Sequence, residues 1–539
     1  MTRARGGRIF VAISILIVFI SVLVPAVHAK PTCAKPDHPG GDWPMMGHDY
    51  HHTRHQPAEK EIGPLEAATL APAWTVSAND ASGAENNEIT GYPIVADGCV
   101  YAASSTGNQQ PGYVFAINAD TGELVWKTKL DHGVYSSVAV ADGKVYAFAS
   151  RVVSSRFEKT KGGPSCDQKV CGPYLVALDQ DSGSVLWETT VDFQVGSDAV
   201  SSPIIWNGLV WIGISATAAE GEESERFDFR GASVLVDADT GELLKWTPTI
   251  PDKAFKNGKG DAGGALWSTI AIDERTRYGY AGTGNPFNYE NEHKRTNAIL
   301  KIDLDRGRPT FGEVLDSYKG DVEEYFPQVG ENFSCDENDP IGFFLAGLEC
   351  GRLDVDFGAS PQIFKLSNGR VVVGEGQKSG VYHVVNPENM KPIWTQVIGV
   401  PSAVGGIVGT PAFDGESLYI PHTLVGYLTS LERDSGAHRW IAPIGDGIHW
   451  GNPVTSANGV IYTPDLKGFL DAYDAATGAP LLHRPMISED TGSDPTFSWG
   501  GVSVARNTVY ATTGIGLSSV GSEFPKMPDG FVIAFRPAG

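Results

Sequence analysis

A short pattern recurs along the chain: an apolar run, Asp or Asn, a small polar turn with Gly, then Trp eight positions after the Asp or Asn. It reads AINADTGELVW over residues 116–126 and ALDQDSGSVLW over 177–187, with a longer copy, VDADTGELLKW, ending at Trp246. KIDLDRG at 301–307 lacks the Trp, VVNPENMKPIW ends at Trp394, SLERDSGAHRW ends at Trp440, and DAYDAATGAPLL puts Leu482 where Trp would stand. An eighth copy, VIAFRP, stops before any Trp, while LAPAW at 70–74 offers the missing strand from the other end. The anchors Asn118, Asp179, Asp237, Asp303, Asn386, Glu432, Asp474 and Arg536 are 61, 58, 66, 83, 46, 42 and 62 residues apart, room each time for four short strands. The pattern predicts an all-β chain: an eight-bladed β-propeller of four-stranded antiparallel blades, closed by N- and C-terminal strands, with the Trp motif docking each blade on its neighbour.

The Gly count of 64 and Pro count of 34 suit the many turns of such a ring. Ahead of it, Arg3, Arg5 and Arg8, an apolar run over 9–25 and a small-residue site ending at Ala29 read as a signal peptide over 1–29. Left uncleaved, that segment would be an anchor; after cleavage no other stretch is apolar enough to span a membrane. Residues 30–69 form an N-terminal extension or clasp, and 70–539 the propeller. The clasp carries His48, His51, His52 and His55, a set that either holds a metal or packs as a clasp, the commoner use. Removing the three Arg of the signal leaves 38 basic against 64 acidic residues, a net charge of −26 that argues against nucleic acid or anionic lipid and suits a basic redox partner. The 83-residue interval holds Asp336, Glu337, Asn338 and Asp339, either a solvated acidic loop or a structural calcium site.

Residues 263–286, GGALWSTIAIDERTRYGYAGTGNP, draw the chemistry together. Two β-type runs, 266–272 and 278–282, flank a charged turn, so a hairpin brings Trp267 beside Asn285. A flat ring beside a carboxamide oxygen, approached by Gly263, Gly264, Gly282 and Gly284, suits a planar cofactor and a hard cation; taken alone, the same residues serve equally as core and tight turn.

With the Trp motif, these segments make the chain resemble the quinoprotein alcohol dehydrogenases, which bind pyrroloquinoline quinone and calcium at the mouth of the propeller axis. WPMMGHD at 43–49 looks most like the polyvinyl alcohol dehydrogenase branch. The resemblance implies that Trp267 of GGALW, with Gly264, is the platform beneath the quinone, and that Asn285 of GTGNP ligates calcium. It makes Asp356 of DVDFGASP the catalytic base and a metal ligand, with Asp354 the next candidate, and sets Lys378 beside a quinone oxygen. In lanthanide-using relatives a second acid stands two positions beyond the base; here that place is Gly358, which favours calcium. Ser201 and Ser202 fall where relatives offer hydroxyls to the quinone carboxylates. The Glu ligand comes from Glu220, Glu222, Glu223 or Glu225, of which Glu220 is nearest the strand end. Many relatives carry two adjacent cysteines before the RG at 230–231, but this chain has Arg226 and Phe227.

The implied activity is alcohol oxidation, of polyvinyl alcohol or other primary and secondary alcohols, in a periplasmic or secreted enzyme. No CxxCH encodes a c-type haem, so electrons pass to a separate acceptor such as a cytochrome c. The rival is a secreted, non-catalytic binding or assembly scaffold on the same propeller. Six cysteines in an exported chain read as three disulfides, locally spaced as Cys166 to Cys171 and Cys335 to Cys350, with Cys33 left for Cys99. Non-reducing peptide mapping is expected to recover all three linkages, and free thiol at Cys166 or Cys335 in exported protein would contradict the reading.

Overall fold

The structure is a computed structural model that describes residues 1–2, 31–107, 110–151, 172–216, 229–287, 292–320, 355–399, 401, 405–423, 426–445, 451–487, 498–514 and 529–538. Its strands form eight sheets, seven with four propeller strands in simple up-and-down order, spanning residues 94–130 (blade 1), 139–190, 204–248, 271–319, 362–397, 412–443 and 455–485 (blade 7). Blade 8 takes three strands from 502–537 and its outermost from Leu70–Ser77, which pairs antiparallel with Phe531–Pro537. The termini therefore close the ring, as the sequence leads one to expect. Among the described residues no helix is long and apolar enough to cross a membrane.

Each docking Trp lies on the outermost strand of its blade and reaches the turn of the next. The indole Nε1 of Trp126 donates to Gln180 O at 2.9 Å, Trp74 to Ala119 O at 3.2 Å, Trp394 to Arg433 O at 3.1 Å and Trp440 to Ala475 O at 3.0 Å. The ring lies on the motif glycine of that next turn. A Cβ on Gly183, at φ +71°, would fall 2.5 Å from the Trp126 ring, so only glycine permits both the left-handed turn and the stacking. Behind each ring a Tyr of the same blade packs at a tilt, as Tyr101 does on Trp126 and Tyr419 on Trp440. An indole covered on both faces contributes roughly 2–3 kcal/mol of apolar burial.

The third copy behaves differently: its strands pair in the same register as those of blade 1, so Lys245 takes the place of Trp126, and Trp246, one residue further on, falls on the opposite face. Lys245 rather than Trp246 meets the next turn at Gly312, while Trp246 reaches back to the preceding blade and donates to Asp192 Oδ2 at 2.7 Å. The expected first strand of the central hairpin is also shorter than 266–272: only Ala271–Asp273 pairs with Tyr278–Gly282. Leu266 N is instead taken by Ile214 O of blade 3, which fixes Trp267 on the connector between blades.

The clasp fills the axis. Its backbone carbonyls accept from the innermost strands of blade after blade: Trp43 O from Val95 N, Pro44 O from Val140 N, Tyr50 O from Ile272 N, His51 O from Ile363 N, Thr53 O from Phe413 N and Arg54 O from Ser456 N. His55–Gln56 adds a parallel strand to blade 7. Arg54, fully buried, donates to Met46 O, Val454 O, Val502 O and Thr455 Oγ1, tying the clasp to blades 7 and 8. Cys33–Cys99 forms the one disulfide among the described residues and pins the chain ahead of the clasp to blade 1. Cys166, Cys171, Cys335 and Cys350, the acidic loop and the signal segment lie outside the described residues.

Burial leaves several imidazoles neutral at neutral pH. It lowers His52 to about 4, opposed by Asp49 and reinforced by Arg54, and it lowers His422 to about 4 and His383 to about 3. A folded-state value below the unfolded one means that the unfolded chain binds more protons, so stability is complete above about pH 6.5 and is lost as pH falls toward the folded values. Three such groups predict a fall in Tm of roughly 5 °C between pH 7 and pH 4.5, read by scanning calorimetry. A flat Tm across that window would count against these burials.

Candidate active site

At one end of the axis the residues just before each innermost strand link neighbouring blades. Tyr92 N donates to Ser137 Oγ at 2.9 Å, Ser137 N to Ser202 Oγ at 3.1 Å, Ser202 N to Thr269 Oγ1 at 3.0 Å, Thr269 N to Ser360 Oγ at 3.0 Å and Ser360 N to Thr410 Oγ1 at 3.3 Å. This necklace passes from blade 1 to blade 6 and lines a cavity of about 320 Å³. Met46 of the clasp also lines it, as do Tyr92, Tyr135, Trp267 and Trp499. The volume falls at the lower end of the range for small-molecule sites.

Asp356, Trp267 and Lys378 converge in the cavity wall. Oδ2 of the buried Asp356 accepts from Trp267 Nε1 at 3.1 Å and pairs with Lys378 Nζ at 3.1 Å, and the Lys378 amide donates to Asp356 O at 2.9 Å. The ammonium lies 5.3 Å from the Trp267 ring centroid, a cation–π distance. Three segments distant in sequence thus meet at one carboxylate oxygen. A Cβ on Gly358 would fall 2.0 Å from Cη2 of Trp267, so a side chain there would displace the indole.

The ends of the central hairpin lie side by side, since Gly264 N donates to Asn285 O and Gly284 N to Ala265 O, each at 2.8 Å. A Cβ on Gly284 would stand 3.5 Å from Asp356 Oδ2, which brings GTGNP against the carboxylate. Asn285 and Gly264 support this corner from outside the cavity lining. Ser202 lines the cavity. Ser201 does not: its hydroxyl donates to Gly213 O at 3.0 Å and accepts from Gly213 N at 2.8 Å, stitching two strands of blade 3. Glu220, its alternatives at 222, 223 and 225, and Asp354 lie outside the described residues.

Behind the Asp356 segment the wall carries little charge. Burial raises Glu375 well above the ordinary carboxylate range, and His383, bonded to Tyr318 OH at 3.0 Å and Gln377 Oε1 at 3.1 Å, is neutral. In such a low-dielectric wall a charge at the cavity surface keeps its field. Sequence reasoning missed Asp198, Tyr135 and Trp499, which also face the cavity. Asp198 accepts from Ala199 N at 2.7 Å and from Ser150 Oγ. The hydroxyl necklace was missed as well, although its signal is present: a Ser or Thr two residues ahead of the inner strand in blades 2 to 6 once the repeats are superposed.

Residues 43–305 match the family described as PQQ: Glucose/ethanol/alcohol dehydrogenase, beta-propeller domain. The chain is 28% identical over 404 residues to the polyvinylalcohol dehydrogenase of Sphingopyxis sp. (strain 113P3), covering 68% of this chain and 57% of that protein. To a polyvinylalcohol dehydrogenase of Pseudomonas sp it is 28% identical over 402 residues, covering 69% and 58%. The chain thus spans a little under two thirds of these relatives' own length. The quinohemoprotein alcohol dehydrogenase structure from Comamonas testosteroni shares the fold at a TM-score of 0.64 and 18% identity, covering 92% of this chain and 81% of that one. Residues 43–305 thus match a family of pyrroloquinoline-quinone dehydrogenase propellers, and the chain is similar to polyvinyl alcohol dehydrogenases, as its motifs led one to expect.

The Gly358 contact gives a direct test of whether Trp267 serves as a cofactor platform. Gly358→Ala is expected to shift tryptophan fluorescence and to weaken quinone binding by at least about tenfold, the usual consequence of 1–3 kcal/mol of overpacking. Unchanged fluorescence and affinity would show that the indole does not need that space.

Proposed function

We propose that this chain is an exported quinoprotein alcohol dehydrogenase that uses pyrroloquinoline quinone with calcium and hands electrons to a separate acceptor such as a cytochrome c. The observation that carries the reading is the meeting of Trp267 Nε1 and Lys378 Nζ on one oxygen of Asp356 in the wall of an aromatic cavity. The residues suit both groups. Trp267 offers a flat face, Gly358 leaves its edge clear, and Ser202, Thr269 and Ser360 present polar atoms around the cavity. Asp356 and Asn285 are hard oxygen donors suited to calcium, with Glu220 the expected third. The space at Gly358 cannot take a carboxylate without moving the indole, which favours calcium over a lanthanide.

When bound, the quinone supplies the hydride acceptor and calcium polarises its carbonyl. Asp356 takes the hydroxyl proton of the alcohol as the carbon–hydrogen bond breaks, a general-base contribution of roughly 10² to 10⁴ in rate. Lys378 holds Asp356 in place and donates to charge developing beside it. Tyr92, Tyr135 and Trp499 line the remaining cavity with apolar surface suited to the carbon chain of a primary or secondary alcohol, segments of polyvinyl alcohol included. The acidic surface suits a basic electron acceptor.

Asp356→Asn tests the chemistry apart from binding. At matched quinone and calcium occupancy, followed by absorption, alcohol-dependent dye reduction is expected to fall by at least about 10²-fold. Wild-type turnover in the loaded variant would remove Asp356 as base. No quinone uptake and no dye reduction in the wild-type protein would instead favour the scaffold.

A further inference from the structure

A second constellation lies on blade 7, away from the Asp356 corner. Asp465 stands at the end of the second strand, Asp471 on Phe469–Asp474 and His483 on Pro480–Pro485; one ligand atom from each lies within 4.8 Å of the others. Asp465 and Asp471 are buried, whereas His483 reaches the surface. His483 Nδ1 lies 2.7 Å from Asp471 Oδ1. Asp465 Oδ1 accepts from Phe469 N at 2.9 Å, but its buried Oδ2 meets no hydrogen-bond donor.

That oxygen points into a shared space. A Cβ built on Gly445 would lie 2.8 Å from Asp465 Oδ2, 3.0 Å from Asp471 Oδ2 and 3.0 Å from His483 Cε1. Two carboxylates and an imidazole edge therefore surround one point, and the Lys467 charge also acts on Asp465. Two buried carboxylates this close repel one another unless a positive charge or a proton stands between them.

We infer that Asp465, Asp471 and His483 form a binding site for a first-row divalent cation of the zinc class, separate from the quinone pole. One imidazole nitrogen with two carboxylate oxygens is a donor set for zinc, cobalt or manganese, while calcium requires six to eight oxygens. The exposed His483 provides the access route that a buried site needs. The site ties the turn at Asp465 to the third and fourth strands of blade 7, with Gly445 packed against the three side chains. That turn reaches the cavity rim, since Leu466 O accepts from Ser498 N beside Trp499. The cation thus stiffens one side of the cavity mouth.

The test uses the full-length protein in excess calcium, without quinone. Chelator-treated wild-type protein titrated with Zn²⁺ is expected to take up one equivalent with submicromolar affinity and to rise in Tm. Asp465→Asn and His483→Gln should each weaken that binding at least about 100-fold, the effect of losing one ligand of a small set. His51→Ala in the clasp should leave it unchanged. Equal Zn²⁺ affinity in the blade 7 variants, or no stoichiometric uptake by the wild type, overturns the site in favour of a His483–Asp471 ion pair beside a protonated Asp465. Should the variants fail to fold, zinc-edge anomalous diffraction from Zn²⁺-treated wild-type crystals decides: a peak among the three residues supports the site, and its absence there refutes it.

Discussion

A ring of blades has one place where satisfaction of the backbone is hardest, its axis. The innermost strands expose one edge toward the centre, where water is scarce and an orphaned N–H or C=O is costly. This chain meets the constraint twice. The clasp lends its carbonyls to the innermost strands of blade after blade, and the hydroxyl necklace takes up an amide just ahead of the inner strand in blades 1 to 5. Peripheral Trp–Gly docking sets the spacing of the blades, but these axial bonds fix how the blades meet at the centre.

The candidate site inherits its precision from that arrangement. Trp267 and Asp356 lie on connectors between blades, while Asn285 and Lys378 lie on connectors within blades 4 and 5. Thr269 and Ser360, two and four residues beyond Trp267 and Asp356, belong to the necklace, so the bonds that hold neighbouring blades together also aim the side chains at the cavity. Rigid strands bear the connectors, and the uncharged wall around Glu375 and His383 keeps the Asp356–Lys378 pair the dominant local charge. The chemistry is therefore positioned by elements that have no part in it.

Much of the fold was legible because its signals are local and repeated. A Trp eight residues after an Asp or Asn can be counted on the page, and LAPAW visibly completes what VIAFRP begins. The corner of Trp267, Asp356 and Lys378 was legible from motifs in order, whereas Ser201 and Ser202 could not be told apart, since which of two adjacent residues faces the axis depends on strand phase. That Trp246 stands one position later than the other motif Trp was visible, but its place on the opposite face required the register of blade 3. The path of the clasp rests on hydrogen bonds between residues up to 448 positions apart, for which no local pattern exists. Asp465, Asp471 and His483 come from a turn and two strands, each of them an ordinary residue in its own segment.

The clasp also has a temporal meaning. Arg54 emerges early in synthesis, yet its acceptors Val454 and Val502 and its partner Thr455 come some four hundred residues later, and Leu70–Ser77 must likewise wait for Phe531–Pro537. Blades 1 to 6 can form from neighbouring residues as they appear, but the hub cannot lock until nearly the whole chain exists. The slowest step of maturation is then the capture of the first residues by the last, a high-contact-order closure during which an apolar strand and a buried cation stand exposed. A partner that shields residues 43–77 during this interval would speed maturation without touching a single catalytic group.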